Sequence, residues 1–442
     1  MLKKNITEDL YSQHIAALID RADEVLETTG TDSILLHSGC EVHYFGDDRG
    51  IPFQSYGHFC HWLPLNVPDQ FLWLRPGHKP TYLKVVPLDF WHEHNVNFPE
   101  LIENIIPTQF LIKSMTSADE AFRNIKLKNC VYLGPDSGIA AANGIDEKNI
   151  NPRDIIAFFD FYRGVKTGYE IENLREANRV ALRGHESAHE AFLDGKSEYE
   201  IHFSFLNACN LLENESPYTN IVAVNQKAAI LHYQNKRKQR LKHSNVLLID
   251  AGAKIHGYGS DITRTWSSPD CPIIFSDLIN SMTTIKTEII SKVRPGINYQ
   301  NLHQASVELI ANLLKDSEIC SGSLDEIIEK KTARLFMPHG VGHLLGIQVH
   351  DVAGHQQDKK GTILKPPTDS PTLRCTRNLV PNMTFTIEPG LYFIPIILEQ
   401  ERGTERGKHI NWPLINELTP FGGIRIEDNI RVTETSFENL TT

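Results

Sequence analysis

Residues 248–266 read LIDAGAKIHGYGSDITRTW and set two aspartates, Asp250 and Asp261, among glycines and β-forming residues. A buried carboxylate is costly unless it is paired, hydrogen-bonded or bound to metal. Strand-like runs flank both, NVLLI before Asp250 and ITRTW after Asp261, while Gly252, Gly257 and Gly259 permit a tight reversal between them. The pattern predicts an antiparallel pair, on which facing residues lie ~5 Å apart. Two carboxylates that close repel, and one takes up a proton unless a cation intervenes. Taken alone, the stretch also fits an exposed, Asp-rich hairpin.

Three further stretches favour the cation. MPHGVGHLLG at 337–346 offers His339 and His343, with glycines that let backbone pass close to a ligand. FTIEPGLYF at 385–393 puts Glu388 in an apolar run just before a Pro-Gly turn, and GGIRIEDNI at 422–430 alternates isoleucines with Arg425 and Glu427. One glutamate in a strand fit for burial is often half of a structural ion pair. Two of them, with two aspartates and a histidine, are better explained by metal. Such a set is rich in oxygen, lacks the thiolates of a structural zinc site, and suits Mn²⁺, Co²⁺ or Mg²⁺-like ions. Four carboxylates carry about −4 at neutral pH, which two divalent ions balance. Two ions ~3.5–4 Å apart can bridge a water and lower its pKa, so the expected chemistry is hydrolysis.

The elements that must position these residues belong to a long chain. At 442 residues it calls for two or three domains, and 40% hydrophobic with 22% charged residues is globular composition. The net charge of −11 argues against nucleic acid as partner, because phosphate recognition needs a basic surface. Seven cysteines, odd in number, widely spaced and without a CxxC, form neither a disulfide framework nor a zinc finger, and read as reduced thiols. The first residues lack the apolar core of a signal peptide. No run approaches the ~20 apolar residues of a membrane span, so no membrane partner and a cytoplasmic location are expected.

Residues 8–29 carry Leu10, Ile15, Leu18, Ile19, Ala22, Val25 and Leu26 at helical spacing and end at Gly30. Short β-like runs follow at 33–38, 70–75, 81–86 and 130–135. This makes the first ~160 residues an α/β domain. Thr167 with Glu170, and Ser197 with Glu200, are capping-box patterns. They predict one helix from about 168 to Gly195 and a second to about Leu212, with further helices at ~274–293 and ~299–314. The basic run KRKQR at 236–240 reads as a solvated turn.

In their order and local context, Asp250, Asp261, His343, Glu388 and Glu427 resemble the five ligands of the pita-bread metallopeptidases. The stretches ESPYTNIVAVNQKAAILHY (215–233), PHGVGHLLGIQVHDVAG (338–354), LRCTR (373–377) and FGGIRIEDNI (421–430), with LLHSG (35–39), resemble the bacterial Xaa-Pro dipeptidase (prolidase) branch, which also holds organophosphorus acid anhydrolases. The resemblance implies an α/β (α+β) chain, with an N-terminal α/β domain over 1–160 and a C-terminal pita-bread catalytic domain over 161–442. It implies two divalent ions per subunit, of which Mn²⁺ is the expected one, and a hydroxide bridging them that attacks the Xaa-Pro bond of small peptides.

By the same resemblance Glu388 is ligand and acid/base, or ligand only. His232 reaches the scissile carbonyl or leaving nitrogen, where the bare sequence allows a plain strand histidine. His350 lies beside the proline ring, and Arg374 binds the substrate carboxylate. Arg425 supports the site or pairs structurally with a ligand carboxylate. His339 lines the site or packs, and Tyr218 is a pocket tyrosine or a packing one. The N-terminal domain is expected to close the site in a homodimer, where Asp48 of GDDRG reaches the neighbouring site or stays in an exposed turn. An aminopeptidase P-like enzyme acting on longer peptides is the rival reading. Organophosphate triester hydrolysis is an expected side activity. A metal-free pita-bread binding protein is disfavoured, because all five ligand positions hold coordinating residues.

Overall fold

The computed structural model describes residues 2–91, 93 and 96–442, and side chains from residue 7 onward. It divides into two units, Met1–Asn173 with Asp358–Thr362, and Leu174–Gln357 with Ile363–Thr442.

In the first unit the helical pattern becomes α1 (Leu2–Thr29). Ile15, Leu18, Ala22, Val25 and Leu26 are buried, joined by Tyr11 and His14. Each fully buried large apolar side chain is worth about 1.5–3 kcal/mol. The β-like runs become β1 (Ser33–His37), β2 (Phe71–Leu74), β3 (Thr81–Val85) and β5 (Cys130–Leu133). A further strand, β4 (Leu111–Met115), completes a sheet of order β4-β3-β2-β1-β5. Four of the five residues of β4 are exposed, so its sequence LIKSM lacks the apolar run that betrays a central strand. The sheet is mixed: β1·β5 and β3·β4 are parallel, β1·β2 and β2·β3 antiparallel.

Both capping boxes form. Thr167 N donates to Glu170 Oε2 (2.8 Å) at the start of α2 (Gly168–Leu193), and Ser197 with Glu200 opens α3 (Glu198–Cys209). The second helix ends before Leu212 because Asn210 turns left-handed at φ 55°, a conformation asparagine tolerates as a helix terminator. Beyond it, β6 (Ile221–Val224), β7 (Val246–Asp250) and β10 (Thr263–Ser267) form a sheet of order β10-β7-β6. The predicted antiparallel pair is β7·β10, with Thr263 opposite Asp250. Between them lies a small hairpin, β8 (Lys254–Ile255) with β9 (Tyr258–Gly259). Helices α4 (Ile273–Ser291) and α5 (Tyr299–Asp316) follow.

The remaining strands are β11 (Thr384–Ile387), β12 (Gly390–Tyr392), β13 (Gly423–Arg425), β14 (Asp428–Val432) and β15 (Phe437–Asn439). They form the sheet β11-β14-β15 and the pair β12·β13. Backbone bonds sew these pieces together where the site will lie. Thr263 O accepts from Glu427 N (3.0 Å), and His343 O from Thr386 N (2.9 Å). Gly342 makes the second approach feasible: at φ 151°, a Cβ there would stand 2.2 Å from Thr386 O. No described helix is long and apolar enough to cross a membrane.

Gly252 is the tightest point of the aspartate hairpin. A Cβ on it would lie 2.0 Å from Ser260 O and 2.9 Å from Pro217 Cγ, whereas one on Gly257, at φ 92°, meets nothing within 4 Å. Gly257→Ala should therefore cost only the left-handed backbone strain, about 1–2 kcal/mol, and Gly252→Ala, which must displace backbone, more than that. Urea denaturation of both variants checks the order; an equal or smaller loss at Gly252 contradicts it.

Candidate metal centre

Five segments of the second unit end at one place. Asp250 is the last residue of β7, and Asp261 lies just before β10. His343 stands on the stretch bonded to β11, Glu388 follows β11, and Glu427 joins β13 to β14. His343 Nε2 is 3.3 Å from Asp261 Oδ2 and 3.7 Å from Glu388 Oε1. One ligand atom each of Asp261, His343 and Glu427 lies within 4.8 Å of the others, all three residues buried. The Nδ1 of His343 faces the Leu344 carbonyl at 3.0 Å, a bond that needs the proton on Nδ1 and leaves Nε2 facing the carboxylates, which against the effect of burial raise the ring's affinity for a proton there; a cation would take that proton's place on Nε2.

Behind the carboxylates stands a polar network the sequence reading only half contained. Arg425, buried, donates from Nη2 to Asp250 Oδ2 (2.6 Å), from Nη1 to Tyr392 Oη (3.0 Å) and from Nε to Thr263 Oγ1 (3.1 Å). Thr263 in turn donates its hydroxyl to Glu427 Oε2 at 2.6 Å. His339 Nε2 meets Tyr392 Oη at 3.0 Å. Tyr392 and Thr263 were missed. The available signals were weak: a tyrosine inside an apolar strand, whose hydroxyl needs a partner when buried, and the alternation of Thr263 with Thr265 on one strand face.

A cavity of about 280 Å³ opens on the cluster, at the small end of ligand pockets. The five acidic and histidine residues line it together with His232, His339, His350, Arg374 and Arg425. His343 and His350 meet edge to face with ring centroids 4.3 Å apart. The exposed guanidinium of Arg374 makes no ion pair or hydrogen bond among the described residues. Tyr218 is not part of the lining; its buried hydroxyl lies near Asp250 and Asp261 without a well-aligned hydrogen bond. Asp48 belongs to the other unit, in an exposed turn closed by the His43–Gly50 bridge.

The electrostatics test whether cations fit. Burial, then the charges of Asp261, Glu388 and Asp250, raises Glu427 well above the carboxylate range. Burial pushes Glu388 up to about 7, with His343 and Arg425 opposing and Asp261 and Asp250 adding to the rise. Asp250 is raised as well, by burial against the pull of Arg425. Burial would lift Asp261 too, but its bond to His343 and that ring's charge hold it down. Burial and Arg425 lower His339 to about 4, and burial with His343 and Arg374 does the same to His350. Two buried carboxylate oxygens, Asp250 Oδ1 and Glu427 Oε1, have no hydrogen-bond partner. Mutually repelling carboxylates, two of them with orphaned oxygens, that line one cavity with the Nε2 of His343 are a donor set that fits divalent cations.

Comparison with known proteins agrees with that chemistry. Residues 172–434 match the model of metallopeptidase family M24. The chain belongs to that family. Residues 9–161 match the Xaa-Pro dipeptidase N-terminal domain. The chain is 40% identical over 434 residues to the Xaa-Pro dipeptidase of Shewanella baltica, covering 98% of this chain and 97% of the relative. Against the Xaa-Pro dipeptidase of Aeromonas hydrophila it is again 40% identical, with 98% of each chain covered. Among solved structures, the fold resembles Escherichia coli aminopeptidase P with the inhibitor Pro-Leu (TM-score 0.72, 22% identity, 96% and 94% of the chains). Yersinia pestis proline aminopeptidase P II gives TM-score 0.71 at 21% identity, over 98% and 96%. Membership in M24 makes the chain a peptidase of the metal-dependent kind.

The raised Glu388 generates a pH signature. Its carboxyl, ordinarily near 4.5, is pushed up to about 7 in the fold, so the metal-free folded state binds this proton more tightly than the unfolded chain does. That contribution is fully present below 4.5 and is lost as pH rises through about 7. The Tm of metal-free protein should therefore fall across this window. Glu388→Gln should flatten the slope, and saturating Mn²⁺ should reverse it, since a cation takes the proton's place. A metal-free Tm that rises through the window would contradict the assignment.

Proposed function

We propose that the chain is an Xaa-Pro dipeptidase whose centre holds two Mn²⁺ ions through Asp250, Asp261, His343, Glu388 and Glu427. Support comes from relatives of that name at 40% identity over nearly the whole chain. The observation that carries the dipeptide preference is Arg374: an unpartnered guanidinium on the rim of a cavity of about 280 Å³, suited to the terminal carboxylate of a substrate that ends at proline. Bound divalent cations supply a water nucleophile at neutral pH and polarise the scissile carbonyl.

The chain's own residues do the rest. Glu388 takes the proton the attacking water loses and returns it to the proline nitrogen. His232 donates to the scissile carbonyl or the leaving nitrogen, and His350 flanks the proline ring. Arg425 holds Asp250 in place from behind, with Tyr392 and His339 fixing the guanidinium in turn. Tyr218, outside the cavity lining, packs its buried hydroxyl near Asp250 and Asp261 and supports the aspartates rather than the substrate. Proline's ring removes the amide N–H that general peptidases grip in their strand-like binding mode, so a dedicated pocket is needed. We assign closure and homodimerisation to the domain over residues 1–160, with Asp48 available to a neighbouring subunit because its turn is exposed. A cytoplasmic location accords with seven cysteines that form no disulfide.

Proline release from Leu-Pro and from Leu-Pro-Gly tests the reading. The dipeptide should be the preferred substrate, and Asp261→Asn should abolish its cleavage. Arg374→Ala should raise KM for Leu-Pro by about 10–100-fold, the worth of a charge-assisted bond, and leave the tripeptide little changed. Preferential cleavage of Leu-Pro-Gly would move the chain to the aminopeptidase P class and remove Arg374 from carboxylate binding.

A further inference from the structure

His232 lines the cavity, yet it makes no hydrogen bond with any described residue. Its position must come from the backbone that carries it. That backbone is tied at two points to one buried carboxylate. Glu198, 2% exposed at the first turn of α3, accepts from Tyr233 Oη (2.8 Å) and from Arg237 N (2.7 Å) on the same oxygen, Oε2. Its other oxygen accepts from Val224 N at 3.0 Å, at the end of β6. Tyr199 N donates to Arg237 O (3.1 Å), doubling the second tie.

The helix does not need Glu198 for itself. Its capping box is made by Ser197 and Glu200. The Glu198 side chain turns instead away from its own helix end and satisfies three donors outside it. Tyr233 is the immediate neighbour of His232, and its ring packs in an apolar cluster with Ile221, Ala223, Ala228 and Leu248. Burying Tyr233 on Glu198 leaves His232, next along the chain, exposed to the cavity.

We propose that Glu198 is a positioning residue: through Tyr233 and the Arg237 amide it fixes where His232 stands. The inference rests on the dipeptidase reading for the role of His232, but the tether itself does not. A glutamine at 198 keeps the acceptor for Val224 N and replaces an oxygen that accepts two donors with a group that must donate or leave them unpaired.

In the holoenzyme, Glu198→Gln should lower kcat on Leu-Pro about 10-fold with KM changed less than about 3-fold, and Tyr233→Phe should lower it less. In a His232→Ala background Glu198→Gln should have no further effect on kcat, because the residue it positions is gone. Losses that multiply across the two substitutions would overturn the proposal. A second measurement does not depend on activity. With diamagnetic Zn²⁺ in place of Mn²⁺, the His232 imidazole resonance of Glu198→Gln should shift from its wild-type position and the Arg237 amide should exchange faster; an unchanged resonance overturns the tether. Should wild-type protein release no proline from Leu-Pro, the dipeptidase reading fails, and the resonance and exchange still decide the tether.

Discussion

Four carboxylates brought to one buried point repel each other, and the catalytic half of this chain is arranged around that repulsion. Each receives a partial remedy from the protein. Arg425 pairs with Asp250, Thr263 donates to Glu427, and His343 faces both Asp261 and Glu388. The remedies are incomplete: one oxygen each of Asp250 and Glu427 stays buried and unpartnered, and Glu388 and Glu427 hold protons far above the ordinary carboxylate range. Removing the charges would be simpler for folding. A site that keeps them is built for an ion of opposite charge.

The strand connections follow from the same requirement. Thr263 stands opposite Asp250 on β7·β10, and its carbonyl takes the amide of Glu427. Asp261 donates its amide to Asn429 Oδ1 (3.0 Å), and the Asn429 amide returns a bond to Asp261 O. Neighbouring Asp428 is held in turn by Arg264 and Lys286. Cavity residues from distant parts of the sequence thus share hydrogen bonds with the backbone that supports their neighbours, so the geometry of one is not independent of the others.

Much of this was legible in the residues. Two aspartates around a glycine-rich reversal, and glutamates in strands otherwise fit for burial, are costly features that taken together are better explained by a site than by an exposed hairpin or separate ion pairs, and all of them reach the cavity. The capping boxes announced α2 and α3 because the signal is local: a side chain and a backbone three residues apart. What was not legible depends on contacts across the chain. β4 has the wrong pattern for a sheet strand, since most of it is exposed. Tyr392 and Thr263 look like ordinary strand residues until Arg425 is placed beside them. Glu198 reads as a first-turn helix acid, and its three bonds to loop and strand donors cannot be inferred from its neighbours in sequence.

The central claim is that divalent cations, and not protons, compensate the clustered carboxylates of Asp250, Asp261, Glu388 and Glu427. Metal content of the dialysed, Mn²⁺-reconstituted protein by inductively coupled plasma mass spectrometry tests it most directly, beside an Asp250→Asn/Glu427→Gln variant shown to be folded. The account predicts two ions per wild-type chain and fewer in the variant. A wild-type chain that retains none, or a variant that retains as many as wild type, would contradict it.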